Sequence, residues 1–108
     1  MGRKPRPRKV TDYETAFACA GGIGILREEV WMDGDGRVVR YNLAFVVPHL
    51  TGVDHGRILG YDNAHGRHER HFLGKVEMVE YKSFPATARR FYQEVRAIGR
   101  DYESQGIH

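Results

Sequence analysis

The sequence predicts an α+β fold in which a four- to five-stranded antiparallel sheet carries a C-terminal helix on one face. Runs of β-branched and aromatic residues separated by Gly- and Asp-rich turns occupy residues 23–81, which is typical of strands. An apolar stripe with helical spacing then follows over residues 84–102. With 108 residues, 41% of them hydrophobic, residues 10–108 are predicted to form a single domain around one core.

The first half of the predicted domain contains one ambiguous segment and one clear hairpin. Residues 10–22 favour a short helix that begins near Thr11 or Asp12 and ends at Gly21-Gly22, with an edge strand as the alternative for the same stretch. Residues 23–47 predict two strands joined by the DGDG turn at 33–36. Alternation in the second strand places one set of side chains on the buried face: Val39, Tyr41, Leu43, Phe45 and Val47.

The second half predicts another hairpin and the helix. Strands over 57–61 and 68–73 flank a turn at 62–67, where Asn63 and Gly66 favour turn geometry. Residues 75–81 alternate and extend or follow the fourth strand past Gly74, where a bulge is expected. Ser83 is a suitable helix cap and Pro85 a suitable first-turn residue. The apolar stripe comprises Phe84, Ala88, Phe91, Val95, Ile98 and Tyr102.

Positive charge is concentrated at the start of the chain. Residues 1–9 contain five basic residues and no acidic one. The other 99 residues contain the remaining 12 of the 17 basic residues and all 14 acidic ones, so their net charge is −2. Pro5 and Pro7 disfavour helix, so residues 1–9 are predicted to form a flexible basic arm that binds nucleic acid or merely keeps the chain soluble. The candidate nucleic-acid contacts are Arg3, Lys4, Arg6, Arg8, Lys9 and, outside the arm, Arg67.

Chemically reactive side chains are concentrated at residues 61–74, YDNAHGRHERHFLG. Histidine exchanges protons near neutral pH, and arginine binds phosphate through a planar fork of donors. Together they could cleave RNA without a metal or cofactor. The candidate catalytic residues are His68 as acid or base, His71 or His65 as the second proton carrier, Arg70 as phosphate clamp, and Tyr61 and Asp62 as residues that orient a histidine.

Strand geometry restricts which of these residues can cooperate. On a strand His68 and Arg70 share one face, whereas His71 points the other way with Glu69, so a bend is needed to bring all of them into one cleft. Two alternatives stay open. A zinc or other divalent site could form from Asp62, His65, His68 and His71, or the hairpin could be purely structural, with Asp62 and Asn63 holding its turn.

The string from Gly60 to Gly74 also resembles the hallmark of the TumE family of toxin–antitoxin proteins, and weaker similarity covers residues 23–98. Arg67 and Glu69 interrupt the run of histidines found in some members. The resemblance implies a prokaryotic toxin with a cognate helix-turn-helix antitoxin. Its motif positions would be Tyr61, Asp62, Asn63, His65, His68, Arg70 and His71.

The combined expectation is a cytoplasmic toxin that acts on RNA, in the manner of a metal-independent ribonuclease. Cys19 is the only cysteine, so no intrachain disulfide can form and a reducing compartment is the natural setting. The sequence contains no run of 18 apolar residues, which predicts no association with a membrane. A non-enzymatic binding module and a metal-dependent enzyme remain alternatives, and exposed strand edges make a homodimer a further expectation.

Overall fold

The computed structural model describes residues 6–104, which form one antiparallel sheet and one C-terminal helix. Each strand pairs with the next in the chain, so the sheet order is the sequence order. Within residues 6–104, no helix is both long and apolar enough to cross a membrane. The elements are β1 (Arg8–Cys19), β2 (Gly22–Met32), β3 (Val38–Val46), a 3₁₀ turn (Val53–Gly56), β4 (Arg57–Asp62), β5 (Glu69–Phe72), β6 (Lys75–Met78) and α1 (Phe84–Ser104).

The predicted fold class is confirmed, but the sheet has six strands rather than four or five. One extra strand is β1, where the prediction of a helix over residues 10–22 is wrong. The strand pairs with β2 from Arg8 opposite Met32 to Cys19 opposite Gly22. Ala20 and Gly21 both have positive φ and form a hairpin turn, so the glycines end a strand and not a helix. Arg8 and Lys9 therefore belong to the sheet and not to the predicted arm.

The segment 75–81, predicted to extend or follow the fourth strand, follows it as the separate strand β6, which folds back on β5. Leu73 and Gly74 have φ of 49° and 83°, the pair of left-handed residues that a tight hairpin turn requires. Residues 75–78 consequently pair antiparallel with β5, from Phe72 opposite Lys75 to Glu69 opposite Met78. The bulge expected at Gly74 is therefore a complete reversal of the chain.

The helix is built as predicted. The Ser83 hydroxyl accepts a hydrogen bond from the Ala86 amide at 3.2 Å and so caps the first turn. The apolar stripe packs on the sheet, with Phe91 fully buried. We call the sheet face beneath the helix the covered face and the opposite one the open face.

Two register shifts decide which side chains lie on each face. One shift between β2 and β3, next to Trp31, leaves Val39 39% exposed while Val38 packs on the core, which corrects the prediction for Val39. The rest of the predicted set, from Tyr41 to Val47, is buried as expected. The other shift makes Ile58 an extra residue in β4 and returns Arg57 to the open face. Arg57 therefore reaches the polar end of β4.

Candidate functional site

The β4–β5 hairpin divides the predicted site residues between the two faces of the sheet. Tyr61 lies opposite Arg70, and Asp62 lies opposite Glu69. The expected alternation is therefore observed, but no bend brings the whole set into one cleft. The covered face holds Tyr61, His68 and Arg70, and the open face holds Asp62, His65, Arg67 and His71.

On the covered face, Tyr61 and Arg70 are bound to a carboxylate from the helix. The Tyr61 hydroxyl donates to Glu94, and the Arg70 guanidinium donates from Nε to Glu94 Oε2 at 3.1 Å. Phe91 packs edge-on against the Tyr61 ring, with the ring centres 6.2 Å apart. These contacts hold α1 against the hairpin. They also engage the Arg70 guanidinium, which was predicted to bind phosphate.

The ionisation of this group reflects its burial and pairing. Burial, with the hydrogen bond to Glu94, raises the pKa of Tyr61 to about 12. Burial alone would raise the pKa of Glu94, but hydrogen bonds from Arg70 and Tyr61 outweigh it and lower that pKa. The hydrogen bond to Glu94 also raises the pKa of Arg70. The group is thus a neutral phenol and an ion pair at physiological pH.

His68 is held in an aromatic stack at the start of the helix. Its ring lies 3.9 Å from the Tyr81 ring and nearly parallel to it, and its Nδ1 shares a 2.8 Å hydrogen bond with the Tyr41 hydroxyl. Phe84, the first residue of α1, packs on the same Tyr41 ring. Burial raises the pKa of Tyr41 above its usual value. The side chain of His68 is therefore engaged in packing rather than turned toward the open face.

The open face contains a compact cluster of three ionisable side chains, which we call the open-face cluster: Asp62, Glu69 and His71. Their residues are only 6%, 4% and 9% exposed. His71 Nε2 lies 3.0 Å from Asp62 Oδ2 and 3.8 Å from Glu69 Oε1. Within residues 6–104 this buried nitrogen has no hydrogen-bond partner, because the near carboxylate oxygen lies off the direction of the ring nitrogen. The three donor atoms lie within 4.8 Å of one another.

The remaining carboxylate oxygens of this cluster are bound by donors at its rim. Asp62 Oδ1 accepts from the Ala64 amide at 3.2 Å, and Glu69 Oε2 accepts from Arg67 at 3.1 Å. His65 Nδ1 lies 3.4 Å from Glu69 Oε1, with its side chain 75% exposed. Each carboxylate is thereby oriented so that its other oxygen faces His71.

Arg57 borders the cluster on the β4 side. Its Nε donates to Asp54 Oδ2 at 2.7 Å, and its Nη1 lies 3.7 Å from Asp62 Oδ2. A Cβ on Gly60 would lie 2.9 Å from the Arg57 side chain, so the absence of a side chain at this position leaves room for the guanidinium. Arg57 is therefore balanced first by Asp54 and only secondarily by the cluster.

The turn and arm residues take separate places. Asn63 joins the turn to β3, since its side chain accepts from the Tyr41 amide and donates to the Val39 carbonyl, each at 3.0 Å. Gly66 has φ of 76°, and its amide donates to the Asn63 carbonyl. Lys9 donates to Glu29 at 2.6 Å. Arg6 and Arg8 border a groove beside the 33–36 turn, whereas Arg3 and Lys4 lie outside the described residues.

Three functional side chains escaped the sequence reasoning. Glu94 lies 24 residues after Arg70 in the chain. Because it is off the apolar stripe of the predicted helix, the sequence indicates only a solvent-exposed carboxylate. Glu69 was placed on the same face as His71 but given no role. Its alternation with His71, opposite Asp62, was the signal that could have singled it out. Arg57 reaches the cluster only because of the β4 bulge, which nothing in the sequence indicates.

Comparison with known proteins identifies no relative: no family model, curated protein or solved structure matches the chain significantly. The TumE resemblance therefore stays a prediction, and the geometry of the two faces must support any functional inference by itself.

Proposed function

We propose that this chain is the toxin of a prokaryotic toxin–antitoxin system, that it cleaves RNA, and that the open-face cluster is its reaction centre. The observation that carries the proposal is the burial of three ionisable side chains against one another on the face that the helix leaves uncovered. Burying such groups costs stability unless they are fully paired, so clusters of this kind concentrate at functional sites. The motif around Tyr61 and Asp62 supplies the biological context.

Cations near the cluster support a polyanionic substrate. Arg67, whose side chain is 61% exposed, borders it on one side, and Arg57 borders it on the other. Both guanidiniums could exchange a carboxylate for a phosphate oxygen, since the two groups present similar acceptor geometry. The basic residues of 1–9 would add sequence-independent attraction to RNA. These features favour RNA over a neutral metabolite.

The covered face does not supply the reaction, so the proposed roles change accordingly. Proton transfer to and from RNA needs an imidazole that a substrate can reach, and His65 is the exposed imidazole at the rim. Arg67 takes the phosphate contact that the sequence assigned to Arg70. His71 lies between two carboxylates that orient it. His68 and Arg70 become residues that hold the fold around the site.

RNA cleavage by matched variants tests this proposal. Full-length protein without a His tag is incubated with a labelled RNA, in separate reactions with EDTA and with Mn²⁺. His71→Gln removes the central side chain of the cluster and should lower the cleavage rate about 100-fold, the size of loss expected when the groups of a reaction centre are misplaced. His68→Phe preserves the aromatic stack and should stay within about threefold of wild type. Absence of wild-type cleavage under both conditions, or equal rates for His71→Gln and wild type, would refute the proposal.

A second candidate is a non-enzymatic module that binds nucleic acid or a protein partner such as the antitoxin. The observation that favours it is β6, an edge strand of the sheet with Val76 and Met78 54% and 68% exposed. Both lie beside the open-face cluster, because Met78 pairs with Glu69 and Val76 with His71. An edge strand with exposed apolar residues can add a strand from another chain.

Binding without cleavage distinguishes this candidate. Fluorescence anisotropy with a labelled RNA would compare the full chain with a chain lacking residues 1–7, a deletion that leaves β1 intact. In a pure binding module the deletion should weaken RNA binding and flatten its salt dependence. Unchanged affinity and salt slope would remove the arm from this role. Val76→Lys with Met78→Lys should weaken only association with a protein partner.

A further inference from the structure

We propose that Asp62, Glu69 and His71 form a binding site for one divalent transition-metal ion, Mn²⁺ or Zn²⁺, on the open face of the sheet. The inference goes beyond the proposed function, since the ion could bind whether or not RNA is the substrate. It concerns a different set of ligands from the four residues considered from sequence, because His68 lies on the covered face.

The orphaned nitrogen of His71 is the first observation that points to an ion. The residue is nine-tenths buried, and its Nε2 has no hydrogen-bond partner within the described part of the chain. A buried polar atom without a partner is uncommon in folded proteins and calls for an unseen ligand or water. Here the nitrogen lies 3.0 Å and 3.8 Å from two carboxylate oxygens without a hydrogen bond to either. A cation between the three groups would satisfy all of them.

The two distances from His71 Nε2 to the carboxylate oxygens fit ligands around a common centre. Two ligand atoms held about 2.1 Å from an ion and about 90° apart lie roughly 3.0 Å from each other. His71 Nε2 and Asp62 Oδ2 are 3.0 Å apart. The 3.8 Å between His71 Nε2 and Glu69 Oε1 corresponds to a wider angle at the same centre. Small movements of the Glu69 side chain would bring the set to regular coordination.

The rim already supplies the outer contacts that metal ligands usually have. The Ala64 amide holds one oxygen of Asp62, and Arg67 holds one oxygen of Glu69. The other oxygens face His71, and an ion there would replace their longer contacts, 3.4 Å from Glu69 Oε1 to His65 Nδ1 and 3.7 Å from Asp62 Oδ2 to Arg57 Nη1. Such outer hydrogen bonds orient metal ligands and tune their affinity. His65 and Arg67 have exposed side chains and can move to admit the ion.

The donor set indicates the class of ion. One imidazole nitrogen and two carboxylate oxygens suit Mn²⁺ or Zn²⁺ better than Mg²⁺ or Ca²⁺, which prefer all-oxygen sites. Three protein ligands also leave coordination positions for water, as in catalytic rather than structural metal sites. A water bound at such a position would lose a proton to solvent near neutral pH, and the hydroxide could attack the phosphorus of a phosphodiester. The P–O bond to one ribose oxygen would then break, and that oxygen would take up a proton from solvent.

Titration of the full chain with Mn²⁺, followed by electron paramagnetic resonance, tests the site directly. The chain is purified without a His tag and stripped with EDTA, which is then removed. One Mn²⁺ per chain should lose its free-ion signal, and Zn²⁺ should displace it. Glu69→Gln and His71→Gln should weaken binding at least about tenfold. The matched controls Glu77→Gln, on the neighbouring strand, and His55→Asn, in a loop, should stay within about twofold of wild type.

A wild-type measurement covers the case in which a ligand variant fails to fold. In ¹⁵N spectra of the imidazole nitrogens, one equivalent of Zn²⁺ should shift His71 Nε2 and leave His68 unchanged. An unchanged His71 signal, no stoichiometric Mn²⁺, or equal binding by Glu69→Gln and wild type would overturn the site, and His71 would then be a plain ion-pair partner. Ion binding without RNA cleavage would leave the site standing and refute the ribonuclease, whereas RNA cleavage in EDTA by a chain that binds no ion would do the opposite.

Discussion

The two faces of the β4–β5 hairpin place similar residues in opposite circumstances. On the covered face, Tyr61 and Arg70 are fully paired with Glu94 from the helix. On the open face, Asp62 and Glu69 surround an imidazole nitrogen that has no hydrogen bond within residues 6–104. Both faces contain buried ionisable groups, but only on the covered face are these groups all hydrogen-bonded across the contact with the helix. A cluster of charged residues in a sequence can therefore divide into one half that stabilises the fold and one half that is available for chemistry.

The same contrast explains why pairing matters more than composition. A buried ion pair with good hydrogen bonds is costly to break, because one partner is left charged and alone. A buried group that is not fully paired can still bind an ion or a substrate. Changes on the covered face should therefore affect stability, and changes on the open face should affect binding and reaction.

The largest expected effect is on packing at the covered face. Phe91→Ala removes a ring that is fully buried between the helix and Tyr61, and it should lower the free energy of unfolding by about 3–5 kcal/mol. Urea denaturation followed by circular dichroism measures this loss. Val76→Ala on the open face is the control, with an expected change under about 0.5 kcal/mol. A small loss for Phe91→Ala would mean that the helix does not depend on this contact.

Removal of the helix carboxylate comes next. Glu94→Ala leaves the Arg70 guanidinium and the Tyr61 hydroxyl without their shared acceptor, and it should cost about 2–3 kcal/mol of unfolding free energy. Glu77→Ala is the matched control, because that carboxylate also contacts Arg70 but has a 59% exposed side chain. Equal losses for the two variants would show that Glu94 is no more than a surface partner.

Alkaline pH should weaken the covered face through Tyr61. Its pKa is raised to about 12 in the folded chain, against 10.0 for an ordinary tyrosine. Below pH 10 both states hold a neutral phenol, and the contribution to stability is complete. Between pH 10 and 12 the unfolded chain ionises first, so stability falls as pH rises, by about 3 kcal/mol at most.

Urea unfolding at about pH 9 and about pH 11.5 measures that fall. Tyr61→Phe should make it smaller by removing the group, although Tyr41 and Tyr92, whose pKa values are also raised, keep part of it. Tyr13→Phe, a change at an exposed tyrosine, should leave the fall unaltered. If Tyr61→Phe left the fall in stability as large as Tyr13→Phe does, burial under the helix would not be what raises the pKa of Tyr61.

The smallest expected effect on stability is at the open-face cluster. In EDTA, Glu69→Gln should change the unfolding free energy by about 0.5 kcal/mol or less, because the Gln amide oxygen can still accept from Arg67 and the change removes one of two neighbouring buried carboxylates. A loss above about 2 kcal/mol in the urea experiment would mean that this cluster is an internal ion-pair network like that of Tyr61, Arg70 and Glu94. The comparison between the two faces would then no longer hold.

Much of the fold follows from local sequence patterns. The DGDG turn predicts the β2–β3 hairpin, and Ser83 with the apolar stripe predicts the helix, because turn chemistry and helical spacing act over a few residues. The helix predicted at 10–22 failed since its local preference is weak and pairing along β2 overrides it. The Leu73-Gly74 reversal was mistaken for a bulge because both features place glycine at positive φ.

The site shows the same division between local and long-range information. The residue types of the hairpin show which side chains are chemically able to act. Alternation, a property of any strand, places His71 and Glu69 on the face opposite His68 and Arg70. Which face the helix covers, and therefore which of these residues are structural, depends on the packing of the folded chain. The reason is physical: Glu94 reaches Tyr61 and Arg70, and Arg57 reaches Asp62, through packing and a bulge that no local pattern encodes.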